Sequence, residues 1–220
     1  MFSSEFSTEL TPMLVSALAG ERDAEALQQA VADCAAAADA LCRDRPMACG
    51  PGCPHCCVLN VAVLLPEGMI IADWLRERQS AKTLDALHEQ IAAHSRRVRW
   101  MDDEERIFEH AACPLLDTAG NCSIHPVRPL VCRGAASLDR GSCREAFRPF
   151  FIDQEPLVPA DLLRQAAFDA SFKALAGALQ HHGLDDRSIE LGRGVLAFLE
   201  HPECRGLLLS GERLPQELWD

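Results

Sequence analysis

Tyrosine is absent from the 220 residues, and aromatic side chains make up only 5%. A core built on aromatic stacking is thereby excluded, and the interior must be packed with Leu, Ala, Val, Ile and Phe. Basic residues are scarce too: 21 Lys and Arg stand against 33 Asp and Glu, for a formal net charge of −12. Duplex binding needs cations that displace counterions from phosphates, so no nucleic-acid partner is expected. No apolar run is long enough for a transmembrane helix, so no membrane partner is expected either. Residues 13–19, Met-Leu-Val-Ser-Ala-Leu-Ala, imitate the apolar part of an export signal. Glu5 and Glu9 precede them, where such a signal carries positive charge. The stretch reads as a helix start or packing segment, and the expected location is cytoplasmic. Also missing are a G-x-S-x-G, a P-loop, a G-x-G-x-x-G, internal repeats and an obvious linker. The length fits one domain over residues 1–220.

Helical periodicity is what remains. Residues 21–45 read as an amphipathic helix, with Leu27, Val31, Cys34, Ala38 and Leu41 on one face and Pro46 at its end. Residues 58–65 form a short apolar run, either a strand or a buried connector. Pro66 suits a helix start, and helices are expected over 67–78 and 81–101. In the C-terminal third, Phe168, Phe172, Leu175 and Leu179 share a helical face, and Gly183 suits its end. Ser188 is the expected N-cap of a last helix reaching Glu200. The fold class is mainly α: a single helical domain with irregular Cys-rich metal-binding loops and at most a short hairpin. The Cys region, 49–143, is flanked by helical segments 21–45 and 159–200.

Eleven cysteines are present, and eight fall in two blocks. The first is Cys49-Gly-Pro-Gly-Cys53-Pro-His-Cys56-Cys57. The second runs from Cys113-Pro-Leu-Leu through Gly120-Asn-Cys122-Ser-Ile-His125 and Arg128-Pro-Leu-Val-Cys132-Arg133 to Cys143. Disulfides are the expected use of cysteine in an oxidising compartment; in the cytoplasm a Cys cluster points to metal binding or catalysis. Four thiols within nine residues, in a turn rich in Gly and Pro, let one stretch of backbone aim several sulfurs at one point. Soft thiolates suit zinc and iron–sulfur clusters.

The combined pattern C-x3-C-x2-C-C, C-P-x-L, G-x-C-x-I and R-P-x-x-C-R resembles the bacterial cysteine-cluster proteins of the YkgJ family, a zinc- or iron-chelating domain. The resemblance covers residues 49–133 and extends in part to Cys143. It implies metal ligation by Cys49, Cys53, Cys56, Cys57, Cys113, Cys122 and Cys132, with Cys143 an eighth candidate. His125 stands where the family usually has Tyr, which leaves a nitrogen ligand open. A related Cys-rich domain occurs in a flagellin lysine N-methylase, so the resemblance also leaves room for an enzyme acting on a protein or peptide.

Between Cys122 and Phe150 five arginines (128, 133, 140, 144, 148) face only Asp139 and Glu145, a local charge of +3 in an acidic chain. Arg128 and Arg133, beside the expected ligands, are candidates for stabilising the negative charge of a thiolate-bound cofactor. Cys34, Cys42 and Cys204 read as packing residues, and His55 as a group beside the ligands. Three functions fit: a metal-binding module with a partner surface, a zinc- or iron–sulfur-dependent enzyme, and a thiol-based metal-handling or redox-sensing protein.

Overall fold

A computed structural model describes residues 2–20, 22–148 and 157–219. Among the described residues there are ten α-helices and one two-stranded sheet, as the mainly α reading expects. The longest helix, α8 (Leu162–His181), is the hub. Against it pack α1 (Phe2–Ala17), α2 (Ala24–Leu41) and the short α6 (Leu130–Gly134). Small residues allow the close approach: Ala30, Cys34 and Ala38 of α2 are fully buried, and Ser171 of α8 donates from Oγ to the Cys34 carbonyl at 3.3 Å. Asp23 caps α2 through the Ala26 amide, so the helix begins there; Glu21, the expected start, lies outside the described residues. Leu41, expected on the buried face, is 41% exposed.

A second layer holds α3 (Leu65–Arg78), α4 (Ala81–Val98) and α9 (Leu191–Glu200). Strand β1 (Ala62–Leu64) runs directly into α3, and β2 (Ser188–Glu190) into α9. The strands pair antiparallel, with Ala62 opposite Glu190, Val63 opposite Ile189 and Leu64 opposite Ser188. Ser188 is thus a strand residue, not the expected N-cap. Glu190 caps α9 instead, accepting from the Arg193 amide at 3.2 Å. The correction has a local cause: buried Ile189 lies between an exposed Ser188 and a half-buried Glu190, which is strand periodicity. Helices α3 and α9 touch backbone to backbone, because a Cβ on Gly68 would lie 2.7 Å from the Gly194 carbonyl oxygen.

Three short helices complete the chain: α5 (Asp103–Phe108), α7 (Arg140–Ala146) and α10 (Glu203–Ser210). The expected helix over 81–101 stops at Val98, and a reciprocal cap between Asp102 and Glu105 starts α5. No helix is long and apolar enough to cross a membrane among the described residues.

Candidate metal centre

Both cysteine blocks are largely turns, so backbone and side-chain hydrogen bonds place them. In the first, the Cys53 amide donates to Gly50 O at 3.1 Å and the Cys57 amide to Pro54 O at 2.9 Å. Gly52 has a φ of 68°, a left-handed conformation that glycine adopts freely. In the second block, Leu116 and Cys122 form a bridge closed by the turn 117–121. Asp117 Oδ1 organises that turn by accepting from the amides of Ala119 and Asn121, both at 2.8 Å. The Asn121 amide and side chain hold the Asp117 carboxyl below its usual range.

Direct contacts join the blocks. The Cys113 amide donates to the Cys57 carbonyl at 2.7 Å, the Gly52 amide donates to Asn121 Oδ1 at 2.8 Å, and the Arg140 guanidinium donates to the Gly52 carbonyl. Ser137 ties Cys49 and Cys143 together. Its carbonyl accepts from the Ala48 amide at 2.8 Å, its own amide points at Cys49 Sγ at 3.4 Å, and its side chain works against the burial that raises Cys143. Asp139 caps the helix that carries Cys143, accepting from Gly141 N at 2.9 Å and Ser142 N at 3.1 Å. Neither Ser137, Asn121 nor Asp139 stood out in the sequence; an Asp three residues before Ser142 is an N-cap signal, but the others act across long stretches of chain.

The thiols fall into two electrostatic neighbourhoods. Cys57, Cys113, Cys122 and Cys132 act on one another, directly or through a shared member. Cys143 is acted on by Cys49, Cys56 and Cys53. Cys56 belongs to both, since it also acts on Cys57 and Cys132. The neighbouring Cys57 thiol lowers Cys56 to about 7 against its burial, with the Arg128 charge assisting, and Cys57 is pushed up by Cys56 and by burial. Burial pushes Cys113 up to about 12 and raises Cys122, Cys132 and Cys143 as well. Seven of the eight thiols are half-buried and Cys143 is buried. By contrast Cys34, Cys42 and Cys204 are in the core, at 0%, 1% and 1% exposure.

The arginines divide. Arg128 stands close enough to lower Cys56 and Cys122, and its buried Nε has no hydrogen-bond partner among the described residues. Arg133 is engaged locally: Nε donates to Arg128 O at 3.0 Å, Nη2 to Pro126 O at 2.8 Å, and Nη1 lies 3.6 Å from Asp39. Arg144 and Arg148 are exposed and pair with Glu145. Burial, and then Arg140 and Arg144, push His55 below its ordinary range; burial, Arg128 and Arg133 do the same to His125.

In this arrangement no three or more Cys, His, Asp or Glu side chains among the described residues are gathered tightly enough to hold a metal ion. The donor chemistry nevertheless suits a thiophilic metal: eight thiols on tethered loops, an unpaired guanidinium nitrogen beside two of them, and two imidazoles nearby held toward the neutral form. A groove of about 230 Å³ runs along the second block, lined by Gln79, Thr83, Leu87, Gln90, Pro114 and Leu116 among others.

Among known families, residues 48–154, nearly half of the chain, fit the family model CxxCxxCC, described as a "putative zinc- or iron-chelating domain". This chain has one more residue between its first two cysteines than that pattern, the extra length being part of the Gly50-Pro51-Gly52 turn. No curated protein and no solved structure matches the chain.

Proposed function

We propose that this protein, whose residues 48–154 fit the zinc- or iron-chelating family model, is a metal-binding module holding zinc or iron on two adjacent sets of four thiolates. Cys57, Cys113, Cys122 and Cys132 form the inner set, and Cys49, Cys53, Cys56 and Cys143 the outer one. The observation that carries the reading is the bond from the Cys113 amide to the Cys57 carbonyl, which seats two blocks far apart in sequence against each other. The charges acting among Cys57, Cys113, Cys122 and Cys132, and those of Cys49, Cys53 and Cys56 on Cys143, support the four-and-four assignment, with Cys56 on the border of the two sets.

When bound, such a metal would neutralise thiolates and cross-link the Gly- and Pro-rich loop 49–57 to the second block, which Leu115, Ile124 and Leu130 anchor in the core. Four thiolates around a divalent ion leave a charge of about −2. Arg128, beside Cys56 and Cys122 with an unused N–H, offsets part of it. Metal uptake and protection of residues 49–143 are then coupled. A second reading, an enzyme acting on a peptide, is favoured by the groove beside the second block. At about 230 Å³ it is smaller than ordinary small-molecule sites, and the binding module therefore comes first.

The test is anaerobic purification with metal analysis and an absorption spectrum, in which iron–sulfur centres absorb in the visible and zinc sites do not. Hydrogen exchange on loaded and stripped protein, both kept reduced, should show protection over 49–143 rising with metal. Equal protection in the two samples would refute the reading.

A further inference from the structure

Glu67 is a deeply buried carboxyl group near the thiols, at 2% exposure, and no part of the proposed ligation uses it. It sits in the first turn of α3. Its Oε2 accepts from the Leu64 amide, at the end of β1, at 2.9 Å. Its Oε1 reaches across the fold and accepts from the Leu130 amide at 2.8 Å. Leu130 is the first residue of α6, follows Pro129, and is itself 1% exposed. The first amides of a helix have no partner within the helix, and a buried one requires a partner from elsewhere. Glu67 supplies it. Cys132 follows Leu130 and Val131 in the same short helix, and the Glu67 charge reaches its thiol.

The base of this link is rigid. A Cβ on the next residue, Gly68, would lie 2.7 Å from the Gly194 carbonyl oxygen, so the start of α3 is pressed against α9. The other end is braced as well: a Cβ on Gly134, the last residue of α6, would meet Phe168 Cβ of α8 at 3.0 Å. Helix α6 is thus fixed at its N-terminus by one side chain and at its C-terminus by packing.

We propose that Glu67 is a positioning residue for the metal centre: its two oxygens fasten the helix bearing Cys132 to the frame made by β1 and α3, and so set where that sulfur stands before metal arrives. This rests on the metal-binding reading given above. The geometry demands a side chain with two acceptors. Both oxygens of a carboxyl group carry lone pairs, whereas the amide of glutamine has one oxygen and would turn an NH2 toward one of the two buried amides. Glutamine keeps the size and loses one bond. Aspartate keeps both acceptors and loses a methylene of reach, so it cannot span Leu64 and Leu130 together without moving the backbone.

The experiment uses the full-length protein, reduced and anaerobic, as wild type, Glu67→Gln and Glu67→Asp. Asp185→Asn serves as a variant that disturbs the fold at Arg187 and Leu214 rather than at the thiols. Two quantities are read. The first is zinc affinity by competition with a chromophoric chelator, together with the visible spectrum of the cobalt-substituted protein, which reports ligand geometry. The second is hydrogen exchange of metal-free protein across residues 130–134. Expected for Glu67→Gln are at least tenfold weaker zinc binding, an altered cobalt spectrum and at least tenfold faster exchange over 130–134, with exchange in α8 and α9 unchanged. Asp185→Asn should leave affinity and cobalt spectrum as in the wild type. Wild-type affinity and spectrum in Glu67→Gln would overturn the proposal, whether or not exchange is faster, since the residue would then only support the fold. If Glu67→Gln fails to fold, Glu67→Asp is decided by the same readings. Should the wild type take up neither zinc nor cobalt, the metal-binding reading fails, and exchange over 130–134 alone decides whether Glu67 holds this turn.

Discussion

Replacing Asn121 with alanine cuts the side chain that clasps the two cysteine blocks. Its Oδ1 is the acceptor for the Gly52 amide at 2.8 Å, and its Nδ2 donates to the Asp117 carboxylate at 3.2 and 3.4 Å. The turn 117–121 keeps its backbone bonds to Asp117 in the variant, so the second block retains its own shape. What is lost is the half-buried bond to Gly52, worth about 1 kcal/mol net. The exposed amide–carboxylate contact adds less, so global stability should fall by about 1–2 kcal/mol. If the clasp holds the blocks in register for a shared metal, that same loss appears in binding. Zinc affinity should then fall by about fivefold to tenfold, since about 1.4 kcal/mol is one decade. The assay is competition titration against a chromophoric chelator, paired with urea unfolding of the metal-free protein. Affinity within about twofold of wild type, with stability lowered as expected, would refute the link between this contact and the metal centre.

Cys34→Ser should leave bound metal unchanged by elemental analysis, because Cys34 is in the core with its thiol aimed at the Ser171 carbonyl at 3.8 Å. Unfolding should show a loss of about 1–3 kcal/mol, the cost of a poorly partnered buried hydroxyl. Gly68→Ala drives a methyl to 2.7 Å from a backbone oxygen, and overpacking of that kind costs about 1–3 kcal/mol in chemical denaturation. Two buried carboxylates give opposite pH dependences. Burial pushes Asp185 up, but the Arg187 side chain and the amides of Leu214 and Arg187 outweigh it and hold the group below its ordinary range. Its stabilisation is therefore present above the unfolded value near about 4 and is lost as acid protonates the folded form, a dependence that Asp185→Asn should remove from urea midpoints measured at falling pH. Glu67 is pushed up to about 7 by burial, against its two backbone bonds. Its contribution is full below the ordinary glutamate value and is lost as pH rises through about 7; Glu67→Gln should flatten the stability of metal-free protein between about pH 5 and 8.

Much of the frame was legible because helix faces repeat locally. Phe168, Leu175 and Leu179 marked α8, and all three are buried. The cysteine blocks were legible because ligand spacing is also local. The exact reach of α1 was not, since Pro12 inside it argues against a helix, yet Leu10, Leu14 and Leu18 repeat every four residues and are buried in the core. Here tertiary burial overrides the cost of a missing amide. Strand pairing between 62–64 and 188–190 was out of reach for another reason: three residues carry too little periodicity, and the partner lies across most of the chain. The same holds within the site. Asn121 and Glu67 act on amides 69 and 63 residues away, and nothing in their neighbourhoods names those partners.

The small ribbon of β1 and β2 has a consequence for how the protein is made. It brackets the second cysteine block, with one rail shortly after the first block and the other well beyond the second. On the ribosome, Leu64 is synthesised long before its partner Ser188, a delay on the order of ten seconds at ordinary elongation rates. By the time Ser188 is added all eight cysteines of the two blocks have been synthesised, while the pairing of β1 with β2 has yet to form. The cysteine loops are therefore made before the ribbon that ties β1 to the C-terminal third can close.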